Sequence, residues 1–146
     1  MTIATELRDV LDNLDWAHYI DLVETISKID KFNIEGELVK SPRVYAMYAG
    51  LYNLAKAEVS IAEKELENYY HTTRKSLVVG SDKKIADNKL DSMVMADAKY
   101  LELKSALVSW STKENLLKGL MIALDKRHEN VIQLSSNHRA EMKLTS

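Results

Sequence analysis

The feature that most constrains this fold is the scarcity of residues that interrupt helices. The 146 residues include one proline and four glycines. A β-rich fold needs many turns, and glycine and proline are among the residues that turns use most. Apolar residues instead recur every three to four positions along most of the chain, which is the pattern of amphipathic helices. The sequence therefore predicts an all-α fold of long amphipathic helices.

Residues 1–38 are predicted to form an acidic helical arm and a linker. Apolar residues between positions 4 and 30 follow one helical stripe, and residues 31–40 lose the period around Gly36. Residues 1–37 carry a net charge of −6, whereas residues 71–146 carry +4. This asymmetry indicates either an arm and a body with different partners or two ordinary solvated helix faces.

Residues 39–146 are predicted to form the helical body. Ser41-Pro42 matches a helix start, because serine caps free N–H groups and proline is preset for the first helical position. Residues 71–80 break the period and are predicted to be a loop or hairpin tip. The pattern then resumes at Ser81. The capping-box sequence at 111–114 leaves open whether two helices or one long helix follow.

Helices of this length carry more apolar surface than a single hairpin can cover. Self-association into a helical ring or bundle is the expected consequence. The last apolar stripe supplies the predicted oligomerisation residues, which are Leu116, Leu117, Leu120, Leu124, Val131 and Leu134.

The sequence lacks the residue patterns of enzymes and metal sites. It has no cysteine, and its four histidines do not fall at the spacings of metal ligands. No serine or threonine has a base partner that is evident in the sequence. We therefore predict no enzymatic activity, no cofactor and no metal.

The location expected for the protein is the cytoplasm. The absence of cysteine fits a reducing compartment. The N-terminus lacks the basic and apolar regions of a signal peptide, and no apolar run approaches the ~20 residues of a membrane span. We predict no membrane partner.

Basic and aromatic residues cluster around the predicted connection at 71–89. Positive charge can follow a phosphate backbone while aromatic rings stack on bases, which is how single-stranded nucleic acid is held. The alternative is that the tyrosines belong to the core and the lysines are solvated. The residues of this cluster that we predict to bind DNA are Tyr69, Tyr70, Arg74, Lys75, Lys83, Lys84 and Lys89.

Residues 41 to about 141 resemble the UvsY family of phage recombination mediators. The resemblance covers about 100 of the 146 residues and rests on short motifs spread along the chain. These motifs are Tyr45 and Tyr48, Leu54-Ala55-x-Ala57-Glu58, Lys64 ahead of Tyr69-Tyr70, Ala96-Asp97, Lys104, Leu117 with Gly119-Leu120, Arg127, and Arg139-Ala140.

The resemblance implies a ring-like homo-oligomer that binds single-stranded DNA in recombination and repair. Such mediators help to load a RecA-like recombinase and to displace the single-strand DNA-binding protein, without a cofactor. A phage-encoded protein would act in the bacterial host cytoplasm. The C-terminal helix would support oligomerisation.

The resemblance also implies basic residues just before the paired tyrosines. Lys64 occupies one such position and is the eighth predicted DNA-binding residue, but Leu66 stands where a second base is expected. This departure shifts the expected DNA contact toward Arg74, Lys75, Lys83 and Lys84. The departure and the overall charge of −2 favour an alternative function, a non-enzymatic helical scaffold or adaptor that binds only protein partners.

Overall fold

The computed structural model describes the backbone of residues 3–146 and the side chains of residues 5, 6 and 8–146. These residues form five helices and no strand, which confirms the all-α prediction. The helices are α1 (Ile3–Asp12), α2 (Trp16–Ser27), α3 (Ile34–Val79), α4 (Asp87–Met95) and α5 (Ala98–Thr145). Residues 1 and 2 of the predicted arm lie outside the described part of the chain.

The N-terminal segment contains two helices where the sequence predicted one continuous stripe. The break comes from Asp15, whose Oδ1 accepts the backbone N–H of His18 at 2.9 Å and so caps α2. An aspartate at this position satisfies a free N–H at the start of a new helix and competes with continuation of the previous one. The apolar residues keep their helical spacing across the break, so the sequence pattern alone did not predict two helices.

Helix α3 begins at Ile34, so the predictions of a linker over residues 31–40 and of a helix start at Ser41-Pro42 were wrong. The Asn33 side chain accepts the N–H of Gly36 at 3.1 Å and caps the earlier start. Pro42 lies inside the helix, where it lacks the N–H that would bond to the carbonyl of Leu38. Contacts with distant parts of the chain, such as the hydrogen bond from Arg127 to Ser41 Oγ, outweigh the loss of this backbone hydrogen bond.

Helix α3 also continues through residues 71–79, where a loop or hairpin tip was predicted. Two threonines and a polar run weaken helix propensity in this stretch, but propensity is easily outweighed by tertiary contacts. Tyr70 and Arg74 supply such contacts to α4. The loop is instead the short connection of residues 80–86, so the helical pattern resumes at Asp87 and not at Ser81.

Helix α5 is a single helix that runs through the capping-box sequence at 111–114. Of the two alternatives that the sequence left open, one long helix is therefore observed. Its first turn is capped by Asp97, whose Oδ1 accepts the N–H groups of Lys99 and Tyr100 at 2.9 and 3.1 Å. No described helix combines the length and apolar character needed to cross a bilayer.

The chain divides into two compact units. Unit 1 comprises the residues up to Leu54 together with Lys113–Ser146, and unit 2 comprises Ala55–Thr112. Helix α3 runs through the predicted domain boundary between residues 38 and 39, and a separate arm domain stays a prediction.

The core of unit 1 contains five of the six leucine and valine residues predicted to form the oligomer interface. Leu117, Leu120 and Val131 have no exposed surface, and Leu116 and Leu124 are nearly as buried. Leu134 is half-buried. The five buried side chains pack within their own chain, so they stabilise the subunit. A role for these residues and Leu134 in assembly stays a prediction.

In unit 2, Leu66 belongs to the core. Its side chain is buried, as are those of Ala62, Leu90 and Val94. The position at which the resemblance expects a second basic residue therefore faces the interior, whereas Lys64 is exposed. Burial of Leu66 gives the physical reason for an apolar residue at this position.

Candidate nucleic-acid interface

All eight predicted DNA-binding residues lie in unit 2. They are distributed over three consecutive parts of the chain. Helix α3 carries Lys64, Tyr69, Tyr70, Arg74 and Lys75, the connection of residues 80–86 carries Lys83 and Lys84, and α4 carries Lys89.

Three of these residues are held by aspartates in an arrangement that we call the aspartate clasp, formed by Tyr69, Tyr70 and Arg74 with Asp87, Asp91 and Asp97. The Tyr70 hydroxyl donates to Asp91 Oδ1 at 2.5 Å. Arg74 donates from Nε to the same oxygen at 3.1 Å and from Nη2 to Asp87 at 2.8 Å. The clasp thus ties the last turns of α3 to α4.

The second tyrosine makes an equivalent contact to the start of α5. The Tyr69 hydroxyl donates to Asp97 Oδ1 at 2.7 Å, the oxygen that also caps α5. The ring of Tyr70 lies 6.4 Å from that of Tyr100 and 5.3 Å from that of His71. Both paired tyrosines are therefore half-buried and occupied by contacts within the chain.

The clasp shifts the pKa values of its members in opposite directions. Hydrogen bonds from Tyr70 and then Arg74 lower the pKa of Asp91, and those from Tyr69 and the Tyr100 backbone lower the pKa of Asp97. The hydrogen bonds to these carboxylates raise the pKa values of Tyr69 and Tyr70. Asp91 and Asp97 are accordingly ionised at neutral pH, and the carboxylates of the clasp outnumber its single cation, Arg74.

This charge balance separates the predicted DNA-binding residues into two groups. Arg74 is already paired with two carboxylates, and a phosphate placed beside it would also meet their negative charge. The clasp residues have a structural role, and their participation in DNA binding stays a prediction.

The other five predicted residues form what we call the open lysine set, Lys64, Lys75, Lys83, Lys84 and Lys89. All five are exposed. Among the described residues, no carboxylate makes an ion pair with any of them. Ser81 shapes the backbone beside two of them, because its Oγ donates to the carbonyl of Lys83 at 2.7 Å and accepts the Lys83 N–H at 3.3 Å.

The sequence analysis did not predict that aspartates would occupy the tyrosines and Arg74. The available signal was the spacing of Asp87 and Asp91, four residues apart and so on one face of α4. A face with two adjacent carboxylates favours a neighbouring cation, and Arg74 supplies it. The third aspartate, Asp97, precedes a helix and could have been predicted as a cap.

Unit 1 contains a second polar network, which is buried. Arg127 Nη2 donates to Glu37 and to the carbonyl of Lys28, the latter at 3.2 Å, and Nη1 donates to Ser41 Oγ at 3.2 Å. The Ser41 hydroxyl in turn donates to the Glu37 carbonyl at 2.9 Å. This network fixes the turns of α3 around Pro42. It is structural, and within the described residues no cluster of side chains has the composition of a metal site.

Comparison with known proteins identifies the fold. No model of a known protein family matches the sequence, and a search of curated proteins gives no significant match. Among solved structures, the chain is similar to the bacteriophage T4 recombination mediator protein UvsY, with a TM-score of 0.71 and 15% sequence identity. The match covers 88% of this chain and 99% of the UvsY chain. The resemblance predicted from the sequence is thus confirmed for the fold, and the chain has a UvsY-like fold.

Proposed function

We propose that this protein is a non-enzymatic recombination mediator that binds single-stranded DNA. It would help to load a RecA-like recombinase onto DNA covered by the single-strand DNA-binding protein. The observation that carries this proposal is the likeness to a recombination mediator over 99% of that protein's chain. The open lysine set adds a surface with the chemistry that such a function requires.

The open lysine set favours binding through phosphates rather than through bases. Five exposed ammonium groups on α3, the 80–86 connection and α4 can each neutralise a phosphate. The paired tyrosines, in contrast, are engaged by Asp91 and Asp97 and are not free to stack on bases. We therefore expect strong dependence on salt and little preference for base sequence.

The first experiment is a fluorescence anisotropy titration of a labelled oligothymidylate at about 50 mM and about 200 mM salt. Binding at the lower salt and a loss of affinity at the higher salt are expected. Five phosphate contacts on a single strand give a slope of about −3.5 in log K against log salt, or roughly a hundred-fold loss across this range. Absence of binding at the lower salt would contradict the proposal.

The second experiment assigns the binding to the open lysine set. Replacing Lys83 and Lys84 by glutamate removes two phosphate contacts and should lower the salt slope by about 1.4. The matched control replaces Lys28 and Lys31 by glutamate, which changes the net charge equally at two other exposed lysines. Equal loss in both variants would show that net charge, not this surface, determines affinity.

A scaffold or adaptor that binds only proteins is the second candidate function. The observation that favours it is the clasp, in which three carboxylates take up Arg74 and both tyrosines. This candidate predicts no affinity for the oligonucleotide at either salt concentration. Loading is tested separately, by asking whether the protein shortens the lag before a RecA-like recombinase hydrolyses ATP on DNA covered by single-strand DNA-binding protein.

A further inference from the structure

Two consecutive valines at the end of α3 are exposed to solvent. Val78 and Val79 are 53% and 79% exposed, whereas the preceding Leu77 is half-buried. Val79 is the most exposed of the large apolar residues in unit 2, all of which the structure describes. Apolar side chains scattered singly on a surface are common, but an adjacent pair at the end of a helix forms a small apolar patch. We call Val78 and Val79 the valine tip.

Members of the open lysine set flank the valine tip along the chain. Lys75 precedes Val78 and Val79 by three and four residues, so all three side chains lie on one side of α3. After the tip, the Ser81 N–H donates to the Val78 carbonyl at 3.4 Å, and the Ser81 hydroxyl donates to the Lys83 carbonyl at 2.7 Å. The chain therefore leaves the tip in a hydrogen-bonded turn, with lysines before and after the apolar pair.

The charge around the valine tip is positive on balance. Residues 74–89 contain five bases and two acids, Asp82 and Asp87, and Asp87 is paired with Arg74. A polyanion is therefore attracted to this end of unit 2. The last carbonyl groups of α3, in contrast, carry partial negative charge and disfavour a phosphate directly on the tip. A bound strand would thus place its phosphates on the lysines and a less charged part on the valines.

Lysines alone do not favour a single strand over a duplex. Duplex DNA carries one phosphate charge per about 1.7 Å of its axis, and each contact to it releases more counterion than a contact to a single strand. A single strand differs from a duplex by exposing the faces of its bases. The paired tyrosines do not offer their rings to these faces, because their hydroxyls are held by Asp91 and Asp97. Selection of a single strand therefore requires another apolar surface beside the lysines.

We propose that the valine tip packs against unstacked bases and gives the protein its preference for single-stranded over duplex DNA. This role rests on the proposed function, to which it adds the residues that recognise bases. Aliphatic side chains can insert between neighbouring bases. Because every base has an apolar face, such a contact tolerates any base sequence. It forms no ion pair, so it adds affinity without changing the salt slope that the lysines determine.

The test compares the affinities for an oligothymidylate and for an abasic strand of equal length, measured by fluorescence anisotropy at about 50 mM salt. Both strands carry the same phosphates, but only the first carries bases. Partial burial of two valines should make the unaltered protein bind the oligothymidylate about ten-fold more tightly. The variant Val78→Ser, Val79→Ser should lose most of this ratio, and its preference for a single strand over the matching duplex should fall in parallel. Its affinity for the abasic strand and its salt slope should stay close to those of the unaltered protein.

The chain offers a matched control on the same helix. Val39 is 80% exposed but belongs to unit 1, so Val39→Ser should bind both strands as the unaltered protein does. Val78→Leu, Val79→Leu keeps an apolar tip and should keep the ratio. Lys83→Glu, Lys84→Glu should weaken binding to both strands alike. Far-UV circular dichroism and light scattering establish that the serine variant keeps its helix content and its mass.

The possible outcomes separate this role from the proposed function. Equal affinity of the unaltered protein for the two strands would overturn the role of the valine tip and leave the proposed function intact. The same holds if the serine variant keeps the ratio, or if Val39→Ser loses as much of it. A change of mass in the serine variant would also overturn it, since the tip would then contact another copy. Absence of binding to either strand contradicts the proposed function itself, and the role of the valine tip fails with it.

Discussion

Replacing Arg127 by methionine tests the buried network of unit 1. The guanidinium contacts Glu37, Ser41 Oγ and the Lys28 carbonyl, and the side chains of Arg127 and Glu37 are only 9% and 11% exposed. In the variant, the nearest remaining donor to the Glu37 carboxylate is the Asp30 N–H at 3.5 Å. Ser41 still donates to the Glu37 backbone carbonyl. The main loss of stability therefore comes from the buried Glu37 carboxylate, which no longer has an ion-pair partner.

Removing one partner of a buried ion pair costs about 3–5 kcal/mol, whereas replacing both by apolar residues is often neutral. We therefore expect Arg127→Met to lose about 4 kcal/mol of unfolding free energy. With a urea m-value of about 2 kcal/mol/M, the midpoint should fall by about 2 M. The double variant Glu37→Leu, Arg127→Met should recover at least about half of this loss.

The assay is urea denaturation followed by far-UV circular dichroism at one fixed protein concentration, because assembly would couple stability to concentration. Arg139→Met is the matched control, since Arg139 is exposed and its loss should change the midpoint little. A loss below about 1 kcal/mol in Arg127→Met, or a double variant as unstable as the single one, would refute the reasoning.

Three further predictions concern other contacts. Gly119→Ala should stabilise by less than the about 1 kcal/mol that alanine gains over glycine inside a helix, because the added Cβ would lie 2.6 Å from the Tyr19 hydroxyl, and adding Tyr19→Phe should recover part of the difference in urea denaturation. Asp91→Asn should lower the pKa of Tyr70, because the carboxylate that accepts its proton raises that pKa, and a variant with an unchanged ultraviolet titration would contradict this. Leu120→Ala should cost about 2–5 kcal/mol, and a loss of assembly without a loss of stability would instead indicate an interface role for Leu120.

The pKa shifts also set the direction of the acid response of unit 2. Asp91 and Asp97 have lower pKa values in the folded protein than in the unfolded chain. Their contribution to stability is therefore complete above the ordinary pKa of aspartate and is lost as the pH falls through the lower, folded values. Near neutral pH the clasp should be insensitive to pH, which circular dichroism across an acid titration of the unaltered protein and of Asp97→Asn would check.

The fold class was predictable from the sequence because periodicity and the shortage of helix breakers are local properties. The ends of α3 were not, because they depend on contacts with residues far along the chain. Ser41-Pro42 has the form of a helix start, and only Arg127, 86 residues away from Ser41, reveals why the helix passes through it. Residues 71–79 are similar, because Asp91 holds a stretch whose own propensity is weak.

The sequence predicted which residues compose the candidate DNA site, but not which of them are already engaged by other side chains of unit 2. The sequence shows that lysines lie near Arg74 and the paired tyrosines along the chain. It does not show that aspartates of α4 and just before α5 form hydrogen bonds with these three side chains. Leu120 and the other predicted oligomerisation residues show the same limit of a sequence pattern. An apolar stripe predicts burial, and whether the same chain or a second chain supplies that burial is decided by tertiary structure.

Pro42 gives α3 a built-in point of local opening. The turns before it lack one backbone hydrogen bond to the rest of the helix, and Arg127 holds them through Glu37 and Ser41. Residues 34–41 should therefore exchange their amide hydrogens as one cooperative group, faster than the turns that follow. Arg127 also donates a hydrogen bond to the carbonyl of Lys28, at the end of α2. Opening of residues 34–41 that releases Arg127 would therefore also release the end of α2, so one guanidinium controls the local unfolding of both segments.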